Sequence, residues 1–263
     1  MAITAKDVQT LRKLTGVGMM DAKKALDEND GDMELATQWL RVQGLASAAK
    51  RATREAGEGA VAVVRNGNAA AIVEMRCETD FVAKSEDFVS LVDEIAAKVC
   101  ADGEGAVAQF QENIEKMLTT LKENISIGRV YRFEATPDEV IETYNHQQAG
   151  RGVNAVAVVL KGGDSEIAHE IAVHIAFAKP LYLSRDDVPA EEVAAERKTV
   201  EEISRNEGKP EAAMPKIIEG RLNGWFKERV LLEQSFVKDE KQTIEQFLGG
   251  ATITAYAQVV IGN

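Results

Sequence analysis

The chain has 263 residues, 45% of them hydrophobic, which is enough to bury one large core or two to three smaller ones. Its 31 basic and 43 acidic residues leave a net charge of −12, and residues 1–58 balance nine against nine, so the negative excess lies beyond Glu58 and opposes phosphate-backbone binding as a main activity. Cys77 and Cys100 are too few for a disulfide framework or a thiolate zinc site, no apolar run reaches the roughly 18 to 20 residues of a membrane span, and the start reads as an amphipathic helix without a signal peptide's apolar stretch, so the expected location is the cytoplasm.

The first expected helix opens at Thr4, an N-cap with Asp7 three residues on, and sets Val8, Leu11 and Leu14 on one face. Thr15-Gly16-Val17-Gly18 ends it. A second helix carries Met19, Met20, Ala22, Ala25 and Leu26 until Asn29-Asp30-Gly31, and a third runs from Asp32 through Leu35, Trp39 and Leu40 to Gly44. These three short helices predict a small bundle over residues 1–54, with Ala46 to Gly59 as a charged linker, helical or extended. The basic cluster Lys50-Arg51-Ala52-Thr53-Arg54 is expected as a solvated helix end rather than an RNA contact.

Ala60–Arg65 and Ala69–Arg76 flank Asn66-Gly67-Asn68, a hairpin signal because Asn and Gly tolerate the positive φ of tight turns. Phe88, Leu91, Val92, Ile95 and Val99 then follow at helical spacing. A second unit of this kind places Ile141–Asn145 before a turn-rich Gln147–Gly152, a strand over Val153–Leu160, and a helix with Ile167, Ala168, Ile171, Ile175 and Ala176. With Asn68 laid over Asn154, the first unit runs 17 positions to Ser85 and the second 11 to Ser165, so six extra residues fall within Glu78 to Lys84. That insertion holds Asp80 and Phe81 side by side at an element junction, where Phe81 either folds back into the core beside a helix-capping Asp80 or protrudes as a functional loop.

Beyond Pro180 the composition becomes charged and helix-rich, with Ala190–Arg205, a break at Gly208-Lys209-Pro210 and Lys216–Gln234 predicting a helical hairpin. Trp225, Phe226, Leu231 and Leu232 are expected as its packing anchors. A short helix at Thr243–Leu248 and a strand at Thr252–Ile261 close the second unit. The expected class is α+β: a bundle at 1–54, one core subdomain at 55–139, and another at 140–263 interrupted by the hairpin at 180–228.

Sites of bond chemistry are not evident. His169 and His174 are five positions apart, hence about 140° apart on a helix, and one metal does not readily collect both. No phosphate-binding glycine loop or nucleophile elbow is present, and Gly57-Glu58-Gly59 and Gly103-Glu104-Gly105 are too short and acidic to cradle phosphates. No cofactor, metal or catalytic residue is therefore expected.

Two long stretches, Leu11-Arg12-Lys13-Leu14-Thr15-Gly16-Val17-Gly18-Met19-Met20-Asp21-Ala22-Lys23-Lys24-Ala25-Leu26 and Thr79-Asp80-Phe81-Val82-Ala83, resemble signatures of the translation elongation factor Ts family. Ile171–Ala176, Tyr182–Arg185, Glu219–Leu222 and Leu231–Lys238 match as well, so the resemblance runs from end to end. It implies a ubiquitin-associated-like N-terminal bundle, and a guanine-nucleotide exchange factor that binds elongation factor Tu in its GDP form and promotes GDP release without bond chemistry. Asp80 and Phe81 would be the nucleotide-releasing wedge within a partner-binding stretch that includes Thr79 and Val82, and Arg12, Met19, Met20 and His146 would face the partner, although Met19 and Met20 equally fit the bundle core. The hairpin would be a dimerisation or accessory element, and direct contact with nucleotide, nucleic acid or membrane is not expected. The sequence departs from the family pattern where Gln147–Asn154 replaces a glycine-richer run, with Asn154 at a usual glycine place, and where Ser235 replaces a frequent proline. An RNA-binding ribosomal accessory and an enzyme are the competing classes, opposed by the acidic body and by the missing acid, base or nucleophile constellation.

Overall fold

The computed structural model describes residues 3–262; Met1, Ala2 and Asn263, ends of the expected domains, lie outside the described residues. The fold is α+β, with three N-terminal helices followed by antiparallel sheets and helices. The chain divides into two compact units, one of residues 1–133, 145–155 and 259–263, the other of 134–144 and 156–258.

In the first unit, α1 (Ala5–Thr15) starts on a capping box in which Thr4 Oγ1 accepts from Asp7 N while Asp7 accepts from Thr4 N. Gly16, with φ +73°, takes the left-handed conformation that ends it. α2 (Met19–Glu28) and α3 (Met33–Arg51) complete the bundle around Leu11, Ala22, Ala25, Leu26 and Ala36. Leu14 departs from its expected place, being exposed, and so does Leu35. The third helix also fails to stop at Gly44 and runs on to Arg51. Gly44 is there for proximity instead: a Cβ on it would come within 2.2 Å of Thr119 Cγ2, so the missing side chain lets α3 pack against a later helix. The basic cluster is only partly solvated, since Arg51 Nη2 donates to the Leu118 carbonyl at 2.8 Å.

β1 (Glu58–Asn66) and β2 (Ala69–Cys77) form the expected hairpin, Asn66 opposite Ala69 and Glu58 opposite Cys77, around Gly67 at φ +60°. A four-residue turn of helix, α4 (Asp80–Ala83), separates β2 from α5 (Glu86–Asp102), whose Phe88, Val92, Ile95 and Val99 are fully buried against the sheet. Residues 104–134 then supply a 3₁₀ turn, α6 (Gln111–Leu121) and β3 (Ser126–Glu134), none of them anticipated; β3 adds to the sheet in the order β1-β2-β3.

β4 (Glu139–Gln148), β5 (Arg151–Lys161) and a late strand, β8 (Thr252–Val260), form a second sheet in the order β4-β5-β8. The stretch Gln147–Gly152 is less turn than expected, because Ala149 and Gly150, at φ +53° and +79°, suffice to reverse the chain and leave the rest to the strands. In the second unit α7 (Ser165–Ala178) packs Ala168, Ile171, Ala172 and Ile175 on Val156, Val158 and Leu160. The hairpin of α8 (Ala190–Asn206) and α9 (Met214–Arg229) carries its own core of Val200, Met214, Ile218 and Leu222. Phe226 and Leu231 are buried at its base, as anchors should be. β6 (Ser235–Phe236), β7 (Asp239–Thr243) and α10 (Ile244–Leu248) precede β8, with Phe236 and Phe247 stacked at 4.2 Å. On α7, His169 is exposed and His174 fully buried. Val237 N–H donates to His174 Nδ1 at 3.4 Å, so Nε2 carries the proton toward Gln234 Oε1 at 3.0 Å, and burial lowers this imidazole's pKa.

One polar group lies deep in the first sheet. Glu74, on β2, is 1% exposed, and its carboxylate takes Arg129 Nε and Nη2 in a fork, each at 2.9 Å, with Arg129 N at 2.9 Å and Arg76 Nη2 at 3.0 Å. Gly128 makes the room, since a Cβ there would stand 2.4 Å from Glu74 Oε2. Burial alone raises the pKa of this carboxyl, but the hydrogen bonds from Arg129 and Arg76 outweigh burial and lower it from 4.5 to about 2. A folded pKa below the unfolded one means that the unfolded chain binds more protons between the two values. The stabilisation is therefore complete above pH 4.5 and lost as pH falls through about 2, an effect of about 3 kcal/mol. Denaturant titrations at pH 6 and pH 2.5 check this: Glu74→Gln should be less stable at pH 6 and should lose less on acidification than the parent chain.

Candidate functional site

The connection between β2 and α5 spans the eight residues 78–85, whereas its counterpart between β5 and α7 spans only the three residues 162–164, so the excess is five residues rather than the six expected. The longer connection is built as a small capped turn. Cys77, the last residue of β2, is fully buried, and its thiol donates to the Thr79 carbonyl at 3.2 Å. Desolvation pushes that thiol up to about 12, which keeps it a neutral, unreactive donor. Thr79, extended at φ −121°, is the N-cap, its hydroxyl accepting from Val82 N at 3.4 Å. The cap is thus Thr79, one residue earlier than a capping Asp80 would be.

The turn separates its four residues by face. Ala83 is fully buried and Val82 packs on the first core, fastening the inner side. Asp80 and Phe81 face out. Asp80 Oδ2 accepts from Lys84 Nζ at 2.5 Å, four residues on, and this bond is the main reason the carboxyl's pKa lies below its ordinary value. Phe81 is 84% exposed, the most exposed of the large apolar side chains among the described residues, which excludes a ring folded back into the core. An exposed aromatic on an anchored turn can enter a cleft of another molecule with little ordering cost, because its backbone is already held.

A second set of predicted residues lies on the bundle. Arg12 is exposed on α1, and Met19 and Met20, at the start of α2, are 46% and 73% exposed; the core alternative for the two methionines is thereby removed. Leu14, 66% exposed, lies near them in sequence and lines a cleft of about 390 Å³ with Val17, Leu40, Lys116 and Thr119. His146 is exposed near the end of β4. Close by, Asn145 Oδ1 is buried without a hydrogen-bond partner, and Gly152 leaves space for the Asn145 side chain.

Other notable groups were not foreseen. Glu123 binds the turn from 44 residues away, a separation that leaves no local sequence signal, accepting from Thr79 Oγ1 at 2.5 Å and from the backbone N–H groups of Glu78 and Thr79. Glu74 did have one, as a lone acid inside an apolar strand demands a buried partner. In the second unit Phe177 and Leu181 are 77% and 64% exposed. Among the described residues no group of three or more His, Cys, Asp and Glu is arranged to hold a metal ion, and no helix is long and apolar enough to cross a membrane.

The family model described as Elongation factor TS matches residues 78–263, beginning at the capped turn. The chain is 45% identical over 273 residues to a protein described as elongation factor Ts from Clavibacter michiganensis subsp. michiganensis, covering 98% of each chain. Similar proteins with the same description from Kineococcus radiotolerans and Mycobacterium tuberculosis are 43% and 42% identical, each alignment taking in 99% of this chain and 99% and 98% of theirs.

Burial separates two phenylalanines seven positions apart. Phe81→Ala should leave stability within about 0.5 kcal/mol of the parent, whereas Phe88→Ala, at a fully buried site, should cost about 3 to 5 kcal/mol. Thermal or denaturant melts of the two variants side by side measure the contrast.

Proposed function

This chain belongs to the elongation factor Ts family and serves translation elongation; from that premise we propose that it is a guanine-nucleotide exchange factor for elongation factor Tu, acting in the cytoplasm. It binds the GDP form of that GTPase and speeds loss of the nucleotide so that GTP can enter. The observation that carries this reading is Phe81, an almost fully exposed aromatic on a capped turn with an ionised carboxylate beside it.

A GTPase holds GDP through phosphate contacts and a Mg²⁺ ion, and a group that intrudes near the ion removes electrostatic stabilisation of the diphosphate. Phe81 is the steric wedge in this reading, and Asp80 perturbs the polar network around the partner's Mg²⁺. Thr79 and Val82 support the turn, the first as its cap and the second through its packing. Arg12, Met19 and Met20 form a docking face, since flexible thioethers adapt to a partner's apolar surface. His146 contributes a further contact, and the α8–α9 hairpin is a dimerisation or accessory element.

No bond is made or broken by this protein, and it requires no cofactor, nucleotide, nucleic acid or membrane of its own. Linkage requires that it weaken GDP binding by the ratio by which GDP weakens its own binding, so the direction of exchange follows the cellular ratio of GTP to GDP.

Release of a fluorescent GDP from elongation factor Tu, with and without this chain, tests partner and activity together. The parent chain should accelerate release, and Phe81→Ala should slow the stimulated rate by about 10 to 100-fold, the scale of an interface anchor worth about 1.4 to 2.8 kcal/mol. Unchanged stimulation by folded Phe81→Ala would overturn the wedge, and stable binding to RNA without binding to the GTPase would overturn the exchange reading.

A further inference from the structure

We propose that Glu123 is a positioning residue, which aims Phe81 by holding the capped turn; the proposal rests on the exchange reading above. A helix of four residues does not hold itself, because fixing one turn costs more backbone entropy than its few hydrogen bonds return. Beyond the packing of Val82 and Ala83, the polar support of the turn comes chiefly from one carboxylate. Glu123 Oε2 accepts from Glu78 N at 3.0 Å and Thr79 N at 3.1 Å, and Oε1 accepts from Thr79 Oγ1 at 2.5 Å. Such bonds to an ionised group are stronger than neutral ones.

The order of donation matters. Because the Thr79 hydroxyl gives its proton to Glu123, its oxygen lone pairs remain for Val82 N, and that contact is the cap of the turn carrying Phe81. Glu123 therefore fixes the cap as well as the backbone before it.

Its two neighbours tie the same point to the bundle. Lys122, left-handed at φ +58° where α6 ends, reaches Asp21 Oδ2 on α2 at 2.8 Å. Asn124 N donates to Glu78 Oε1 at 2.7 Å, and its side-chain amide donates to the Arg54 carbonyl at 2.8 Å, just beyond α3. Three consecutive residues thus hold the turn, the helix bearing Met19 and Met20, and the segment just after α3 in one frame. Loosening Glu123 frees the turn while leaving the bundle's own core in place, so the effect falls on release within the complex more than on formation of the complex.

The test compares Glu123→Ala, Glu123→Gln, Phe81→Ala and the double variant F81A/E123A. Three readouts are taken: the maximal GDP-release rate from elongation factor Tu, the concentration giving half of it, and amide hydrogen exchange of residues 79–84 in the free protein. Glu123→Ala should lower the maximal rate about tenfold, shift the half-saturating concentration less than about twofold, and speed exchange at Val82 and Ala83. Glu123→Gln keeps an oxygen for the two backbone donors but sets an amide donor against the Thr79 hydroxyl, so it should recover the part of the rate that rests on the backbone bonds and fall between Glu123→Ala and the parent, which also guards against misfolding of the alanine variant. The double variant should be no slower than Phe81→Ala. A parental rate for Glu123→Ala with a slow Phe81→Ala would overturn the positioning role and leave the wedge standing, as would additive losses in the double variant. A parental rate for Phe81→Ala would remove the exchange role of both residues, and amide exchange alone would then decide whether Glu123 holds the turn.

Discussion

The buried carboxylate of Glu74 is the constraint on which the first unit depends. An ionised acid inside a sheet is tolerated only when its oxygens are filled, and here Arg129 fills them with a fork and a backbone N–H while Arg76 adds a fourth bond. Because these donors come largely from β3, β3 is held against β2 at one register. The same guanidinium also donates to the Val260 carbonyl, which brings the end of β8 to the same point. Slipping the strand would strand a charge, so the pair specifies the arrangement even where an apolar pair would serve stability as well.

That register has consequences at the edge of the sheet. Moving forward from Glu74 the chain reaches Glu78 and Thr79, and moving back from Arg129 it reaches Asn124 and Glu123, the four residues that bond to one another. The geometry of the exposed turn follows from a pairing buried in the sheet. A rigid support is what an exposed aromatic requires, since Phe81 gains nothing from its own fold by lying in water and would otherwise collapse onto the nearest apolar surface. The inner residues Val82 and Ala83 supply the packing and the Thr79 cap supplies direction.

The second unit shows the same strand–strand–helix pattern without the turn. Gly162, Gly163 and Asp164 carry the chain directly from β5 into α7, where the Asp164 side chain caps the helix by accepting from Ile167 N. The scaffold therefore closes without extra residues, and the insertion in the first unit is an addition to a connection that did not need it. Buried His174 and Gln234 instead take the place of a polar keystone, held neutral among apolar side chains.

The local elements were legible from the chain alone wherever a short-range rule governs them: the Thr4 capping box, the Asn66-Gly67-Asn68 reversal, the apolar stripe of α5 and the insertion at residues 78–84. Each depends on residues within a few positions of one another. The family signatures, including Asp80 and Phe81, were legible for the same reason. Where long-range contacts decide, sequence reading stopped short. Gly44 reads as a helix stop until Thr119 is placed against it; Met19 and Met20 fit a core or a surface until the bundle is assembled; and Phe81 points outward only because Ala83 and Val82 point inward. Glu123 had no signal at all, since its three hydrogen bonds join residues 44 and 45 positions apart. Periodicity records which face of an element is apolar, but which distant group meets that face is set by packing, and packing belongs to the folded chain as a whole.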